Sequence, residues 1–361
     1  MKNLFRLIIV VIAFSCNSFE ENTVIENLPE TNVESFDFKP PMIINGVLKF
    51  ENEESLFFWL NETRKMTPTE FANWEQKLGF KSFLTLYEKL VDEENEASDS
   101  LTQAFNNSRI MPERLHSEFP IHSKNTLPYL PYLYIFDGGG IAPLASILEN
   151  GMERLVNEQS EVIIGDQFVQ YKNNSKLING NILKNSVNGL NLLVTPSPTG
   201  YSERHTSTDG NYRTITDLTF TIRQSSVFLN QNFGPLPTYG TNTSPEWNIL
   251  LRNFRKGFFG WNTRKTTSLK MVGNFNHSWS TCGDINPYLP PSYNGMININ
   301  SGGSSTTSIE WNFIDPNLKF NQCYNSPIED QFRWSSNFNI EITGENNNVS
   351  NFVGYYNYQP N

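Results

Sequence analysis

The chain is poor in three things: its 361 residues hold 3 cysteines, 4 histidines and only 18% charged side chains. No CxxC occurs, and His116, His122, His205 and His277 form no pair at ligand spacing on one helix. Metal is therefore not expected, nor any other cofactor. Positive charge is short as well, with 27 Lys plus Arg against 37 Asp plus Glu and a net charge of −10. That excludes a nucleic-acid partner, whose phosphates need a basic surface. Beyond the first residues no apolar run approaches the roughly 20 residues a spanning helix needs. No GxSxG motif supports a serine triad around His205 or His277. Asp137-Gly138-Gly139-Gly140 lacks the Lys and Ser or Thr of a phosphate loop, and with Ile141-Ala142-Pro143 behind it reads as a turn before a helix opening at Pro143. Uncharged polar and aromatic groups replace the missing charge: there are 47 asparagines, and aromatics reach 13%. Such a composition folds.

Residues 1–15 have the layout of a secretory signal peptide: Lys2 and Arg6, an apolar stretch from Leu7 to Phe14, then Ser15 before Cys16. Ala13-Phe14-Ser15-Cys16 resembles a bacterial lipobox, although Phe14 departs from the pattern. Cleavage before Cys16 would leave that cysteine lipidated, with the lipid bilayer as its partner. Lipidation also accounts for the odd cysteine in an exported chain. Cys282 and Cys323 remain and are expected to form a disulfide closing a loop of about 40 residues, worth roughly 4 kcal/mol. Residues 16–41 are polar, acidic and proline-containing, and read as a flexible tether.

Helical signals follow. Asn52 can cap a helix opened by Glu53 and Glu54, with Leu56, Phe57, Trp59 and Leu60 on its apolar face. Thr67-Pro68-Thr69-Glu70 is a capping box with Pro at the first helical position, and Gly79 suits the left-handed residue past that helix. Ser82 restarts a helix through Leu84, Tyr87 and Leu90 into the acidic run Asp92 to Glu96.

These residues carry a resemblance. Val47-Leu48-Lys49-Phe50, Met66 to Phe71, Trp74 to Ser82, Leu144 to Asn150 and Glu161 to Tyr171 are similar to segments of a group of uncharacterised Bacteroidota surface lipoproteins. The likeness spans roughly residues 1–171. Cys16 followed by Asn17, Ser18, Phe19, Glu20 and Glu21 resembles the acidic export signal of such proteins. The resemblance implies a lipid-anchored, surface-exposed place at the outer membrane, and it implies no reaction.

From residue 156 the pattern turns to strands. Val162 to Ile164 and Phe168 to Tyr171 flank Gly165-Asp166 as a hairpin. Short apolar-alternating stretches follow at 218–222, 226–229, 269–272, 296–299, 309–313, 338–342 and 352–358. The expected fold is α+β: a small N-terminal helical module over 42–155, followed by an antiparallel β-sandwich-like domain over 156–361.

Two constellations bear on function. From Arg252 to Lys270 six cations and no carboxylate interleave with aromatics, and Arg255, Lys256, Trp261, Arg264 and Lys265 are the candidate contacts for an anionic glycan or a lipid headgroup. Protection of a strand edge by its lysines and arginines is the alternative. Glu310, Asp315, Glu329 and Asp330 near Trp311 and Trp334 could serve glycoside hydrolysis, which needs paired carboxylates. Solvated strand and loop positions beside core aromatics are the preferred reading, because spacing alone gives no geometry. The expected role is non-enzymatic binding or scaffolding at the envelope, with a glycan or an envelope protein as ligand. The alternative is a secreted polysaccharide hydrolase.

Overall fold

Cap chemistry sets the helix ends of the N-terminal layer. In the computed structural model, which describes residues 38–108, 122–182, 200–229, 238–257, 260–281, 292–314, 319–321, 332–347 and 349–358, Asn52 Oδ1 accepts from the Ser55 amide at 2.8 Å and opens α1 (Glu53–Lys65). Thr67 and Glu70 exchange the two bonds of a capping box at the start of α2 (Pro68–Leu78), and Gly79 ends it at φ 67°. Ser82 Oγ accepts from the Thr85 amide at 3.2 Å and opens α3 (Phe83–Ser108). Cys16, Cys282, Cys323 and the signal peptide lie outside the described residues. The chain divides at Lys39/Pro40, and every element named below belongs to the second unit.

The N-terminal layer also holds strands. β1 (Met42–Ile44) and β2 (Val47–Phe50) form a hairpin, and a second hairpin, β3 (Leu133–Ile135) with β4 (Ile141–Pro143), leads into the short α4 (Leu144–Leu148). β2 then runs parallel to β5 (Glu161–Ile164), which continues antiparallel through β6 (Gln167–Lys172), β7 (Ser175–Ile178) and β8 (Asn181–Ile182). The region expected to be helical therefore supplies β1 and β2 to a six-stranded sheet whose other four strands, β5 to β8, come from the span expected to open the β domain. The hairpin at Gly165, placed by its sequence in the second domain, joins this layer because Lys49 pairs with Ile163 across more than 100 residues of chain. Leu48, Phe50, Leu56, Leu60, Phe83 and Val162 fill one core between the helices and this sheet.

The rest of the described chain is mostly antiparallel sheet. β9 (Gly200–Asp209), β10 (Tyr212–Leu229) and β11 (Thr238–Gly257) are long and consecutive. The far edge of β11 is shared by β12 (Gly260–Thr263), β15 (Ser308–Ile314) and β16 (Lys319–Asn321). A second sheet has the order β14 (Ser292–Asn300), β13 (Lys270–Thr281), β17 (Phe332–Thr343), β18 (Val349–Tyr358). Inward residues of both sheets share one core, with Trp247, Trp279, Trp334, Phe220, Phe275 and Phe338 each under 3% exposed. Each such side chain contributes roughly 1.5–3 kcal/mol by leaving water. Gly354 lies opposite Phe338 in this core, and a Cβ there would sit 2.2 Å from the Tyr356 hydroxyl. Trp311 and Trp334, read as sugar-stacking candidates, point into the core at 9% and 2% exposure.

The helical layer covers the outer face of the β9–β10–β11 sheet. Thr263 Oγ1 donates to the Ile141 carbonyl at 2.7 Å and accepts from its amide at 2.9 Å, and Asn95 Nδ2 reaches the Thr263 carbonyl at 3.2 Å. The Gly138 carbonyl accepts from the Trp261 amide at 2.6 Å, and a Cβ at Gly140 would meet the Phe254 ring at 2.5 Å. The glycine cluster is thus the tight turn between β3 and β4, pressed against the β12 side of the sheet.

Candidate functional site

Strand alternation puts two chemistries on β10 and β11. Leu218, Phe220, Trp247 and Ile249 face the core between the sheets, so Asp217, Thr219, Glu246, Asn248 and Arg252 face the helical layer. A cavity of about 320 Å³ separates that polar floor from an apolar roof of Phe57, Leu60, Ile147, Leu148 and Met152, supplied by α1, α4 and the turn after it. It falls at the small end of the range for ligand sites.

The charges around the cavity are matched. Three arginines (Arg64, Arg204, Arg252) and three carboxylates (Glu149, Asp217, Glu246) line it. Arg204 holds Asp217 in a fork, Nε to Oδ1 at 2.6 Å and Nη2 to Oδ2 at 3.0 Å, and Arg252 Nη1 donates to the same Oδ2. The two guanidinium groups also lie over the Phe136 ring, at 4.9 and 5.7 Å. Burial alone would raise the Asp217 carboxyl, but Arg252 and Arg204 outweigh it and hold the group below the usual carboxylate range. Arg64 Nε lies 3.1 Å from Glu310 and its Nη1 3.4 Å from Glu246, while Nη2 donates to the Asn150 carbonyl at 2.6 Å. Asn150 and Asn248 each donate to Glu310 Oε1 at 2.6 Å. Glu149 accepts from Tyr171 and pairs with Lys176.

Uncharged groups are what the cavity offers a ligand. The side chains of Ser202, Thr219 and Thr221 line it and make no hydrogen bond to a described residue. An apolar roof over a floor of hydroxyl and amide groups suits a small molecule with one apolar face and several hydroxyls.

The residues singled out by their sequence are distributed unevenly. Arg255 and Lys256 are exposed at the end of β11, with Arg255 4.0 Å from Glu345 and over the Tyr212 ring at 5.9 Å. Trp261 is half-buried under the Arg213 guanidinium, 4.2 Å from the ring centroid. Arg264 pairs with Asp99 at 3.1 Å and Lys265 with Asp92 at 2.8 Å, both acids on α3. Arg252 is buried on Asp217. The stretch is devoid of acids in sequence because its carboxylates arrive from other elements. Glu310 belongs to the Arg64 cluster, whereas Asp315, Glu329 and Asp330 lie outside the described residues. His277 sits at 1% exposure in the core with Nδ1 2.7 Å from Ser336 Oγ, and accepts from the Trp247 indole at 3.2 Å. An indole only donates, so the imidazole nitrogen is unprotonated and the buried pair is structural. Arg64, Asn150, Arg204, Asp217, Thr219 and Asn248 were missed at the sequence level, because nothing local marks which face of a strand a helical layer will cover.

Among the described residues no group of His, Cys, Asp and Glu is arranged to hold a metal ion, and no helix is long and apolar enough to cross a membrane. No family model matches the chain, and no curated protein matches it. Among solved structures, a DUF4848 family protein from Bacteroides thetaiotaomicron matches at 15% identity and a TM-score of 0.28, covering 88% of this chain and 99% of that one. A structural-genomics target, SoR45, matches at 6% identity and a TM-score of 0.16, covering 38% of this chain and 84% of that one. Both scores are too low for either neighbour to assign a role to a residue of this chain.

Proposed function

We propose that the protein is a lipid-anchored envelope lipoprotein, held by Cys16 and displayed on the outer membrane, that binds a small neutral glycan without turning it over. The observation that carries the binding role is the cavity between α1, α4 and the β9–β11 sheet. Its six charged groups are three of each sign, and each has an ion partner. Hydroxyl and amide groups are left to face the ligand under an apolar roof. Asp217, held ionised by two arginines, is unsuited to act as a general acid, which needs a raised carboxyl. The anchor rests on the basic, apolar and cysteine pattern of residues 2–16.

Titration calorimetry with short neutral oligosaccharides tests the binding role. Binding should weaken about tenfold or more in Thr219→Val/Thr221→Val and in Leu148→Trp, which fills the cavity. Saturable binding equal in both variants, or none to any oligosaccharide, contradicts it. Shortened oligosaccharides in the cell would support the hydrolase alternative, with Glu246 and Glu310 flanking Arg64 as its carboxylate pair. For the anchor, mass spectrometry of the mature N-terminus should find lipid on Cys16, and an unmodified cysteine or another cleavage site rejects it.

A further inference from the structure

The outer face of the second sheet carries a different surface. Strand pairing sets Asn294, Asn276, Asn337 and Tyr355 in one row across β14, β13, β17 and β18. The next row is Met296, Asn274, Asn339 and Val353. All eight are exposed, with Tyr355 at 69%, Val353 at 71% and Met296 at 77%. The next row on one side is Asn298, Val272, Glu341 and Asn351, where Glu341 brings an exposed carboxylate, and on the other side Ser278 and Ser335, bonded to each other at 2.7 Å, lead to Asn357. None of the carboxamides in the two rows makes a hydrogen bond to a described residue, and neither row contains a charged side chain.

We infer that this face binds an extended neutral polysaccharide. Each carboxamide presents two donors and an acceptor, the same mixture as sugar hydroxyls, and no internal bond has to be broken to use them. Tyr355 supplies an aromatic plane and Val353 and Met296 apolar area, so the CH faces of sugar rings can pack beside the amides. Absence of charge in the two rows fits a neutral polymer and offers nothing to an anionic one. Four strands about 4.8 Å apart and about nine residues long give roughly 570 Å². That area, which takes in the row of Glu341 as well as the two uncharged rows, is below the roughly 800 Å² a partner contributes to a standard protein interface. The face is separated from the cavity by the whole core between the two sheets, so this inference does not rest on the cavity.

The test is retention of the full chain, purified in detergent, on insoluble cellulose, chitin and β-1,3-glucan. It should be retained on at least one, equally at about 0.05 M and about 0.5 M salt, because no ion pair is formed to be screened. Asn337→Asp/Asn339→Asp and, separately, Tyr355→Ala should each lower retention about tenfold at unchanged melting temperature, and Leu148→Trp in the cavity should leave it intact. Retention on none of the three polymers overturns the inference, as does retention equal to wild type in both face variants. A concentration-dependent dimer abolished by the same variants also overturns it, since the face would then belong to a second copy.

Discussion

The two sheets of the second half differ in what covers them, and their polar groups differ accordingly. The β9–β11 sheet has the common core on one face and the helical layer on the other. Its outward side chains include Asp217, Arg252 and Glu246, the first two paired across the strands and the third with Arg64 of α1, beside the hydroxyls of Ser202, Thr219 and Thr221. The β13–β18 sheet shares that core but leaves its other face to solvent, and the two middle rows there hold unbonded asparagines with Met296, Val353 and Tyr355, while exposed Glu341 lies in the next row. Covering a strand face forces its charges to be paired, because a buried unpaired charge is expensive. Leaving a face open imposes no such demand, and donors and acceptors stay available.

The largest effect is expected at Asp217. Asp217→Ala leaves Arg204 and Arg252 buried without their carboxylate and should cost about 3–5 kcal/mol in urea denaturation. A loss under about 1 kcal/mol, the value of a surface pair, would mean that the layer does not seal this face. The pH dependence follows. Asp217 is depressed below its unfolded value of about 3.9, so its contribution is complete above that pH and lost as pH falls through the lower folded value. The acid limb of the stability curve should therefore be flatter in the variant.

Gly354→Ala probes the shared core between the sheets. With a Cβ 2.2 Å from the Tyr356 hydroxyl, which donates to Glu203 at 2.6 Å, the ring has to move, at a cost of about 1–3 kcal/mol. Thermal denaturation measures it, and an unchanged midpoint would show that the ring yields freely.

Glu153, next to the cavity roof, should respond with the opposite sign to Asp217. Burial raises its carboxyl above the usual range and nearby Glu310 adds to this, against Arg154 and Arg64, and its Oε2 is buried without a partner. A raised carboxyl weakens the fold as pH climbs from about 4.3 through the folded value. Glu153→Gln should raise the denaturation midpoint at pH 7 and lose that gain below about pH 4. A gain constant with pH would assign the effect to packing instead.

The smallest effect belongs to the open face. Asn337→Ser and Asn339→Ser should each change stability by less than about 0.5 kcal/mol in chemical denaturation. A larger cost would mean that the carboxamides hold the sheet together.

How much of this was legible in the sequence depends on locality. Asn52, the Thr67–Glu70 box, Gly79 and Ser82 act within a few residues, and each helix start they predict is present. The strands at 162–171, 218–222 and 338–342 were readable from apolar alternation and are also present. β11, the spine of the covered sheet, was not seen. Its Leu250 and Arg252 are as buried as Leu251, so polar alternation is erased, and Pro245 and Gly240 interrupt the run. Pairing of β2 with β5 left no local trace either. The partners of the cation-rich stretch were illegible for the same reason, since Asp99, Asp92 and Asp217 meet Arg264, Lys265 and Arg252 only in space. The asparagine count was legible, but the pairing that gathers those side chains into rows was not.

Charge around the cavity is paired within the β9–β11 sheet or to the helical layer, and the groups proposed to meet a ligand are uncharged. One measurement tests this directly: binding of the full chain to a panel of neutral and acidic glycans at low and high salt. Neutral glycans should be among the ligands, with retention that does not fall as salt rises. Binding confined to acidic glycans and weakening steeply with salt would contradict it, and would return the contact to Arg255 and Lys256.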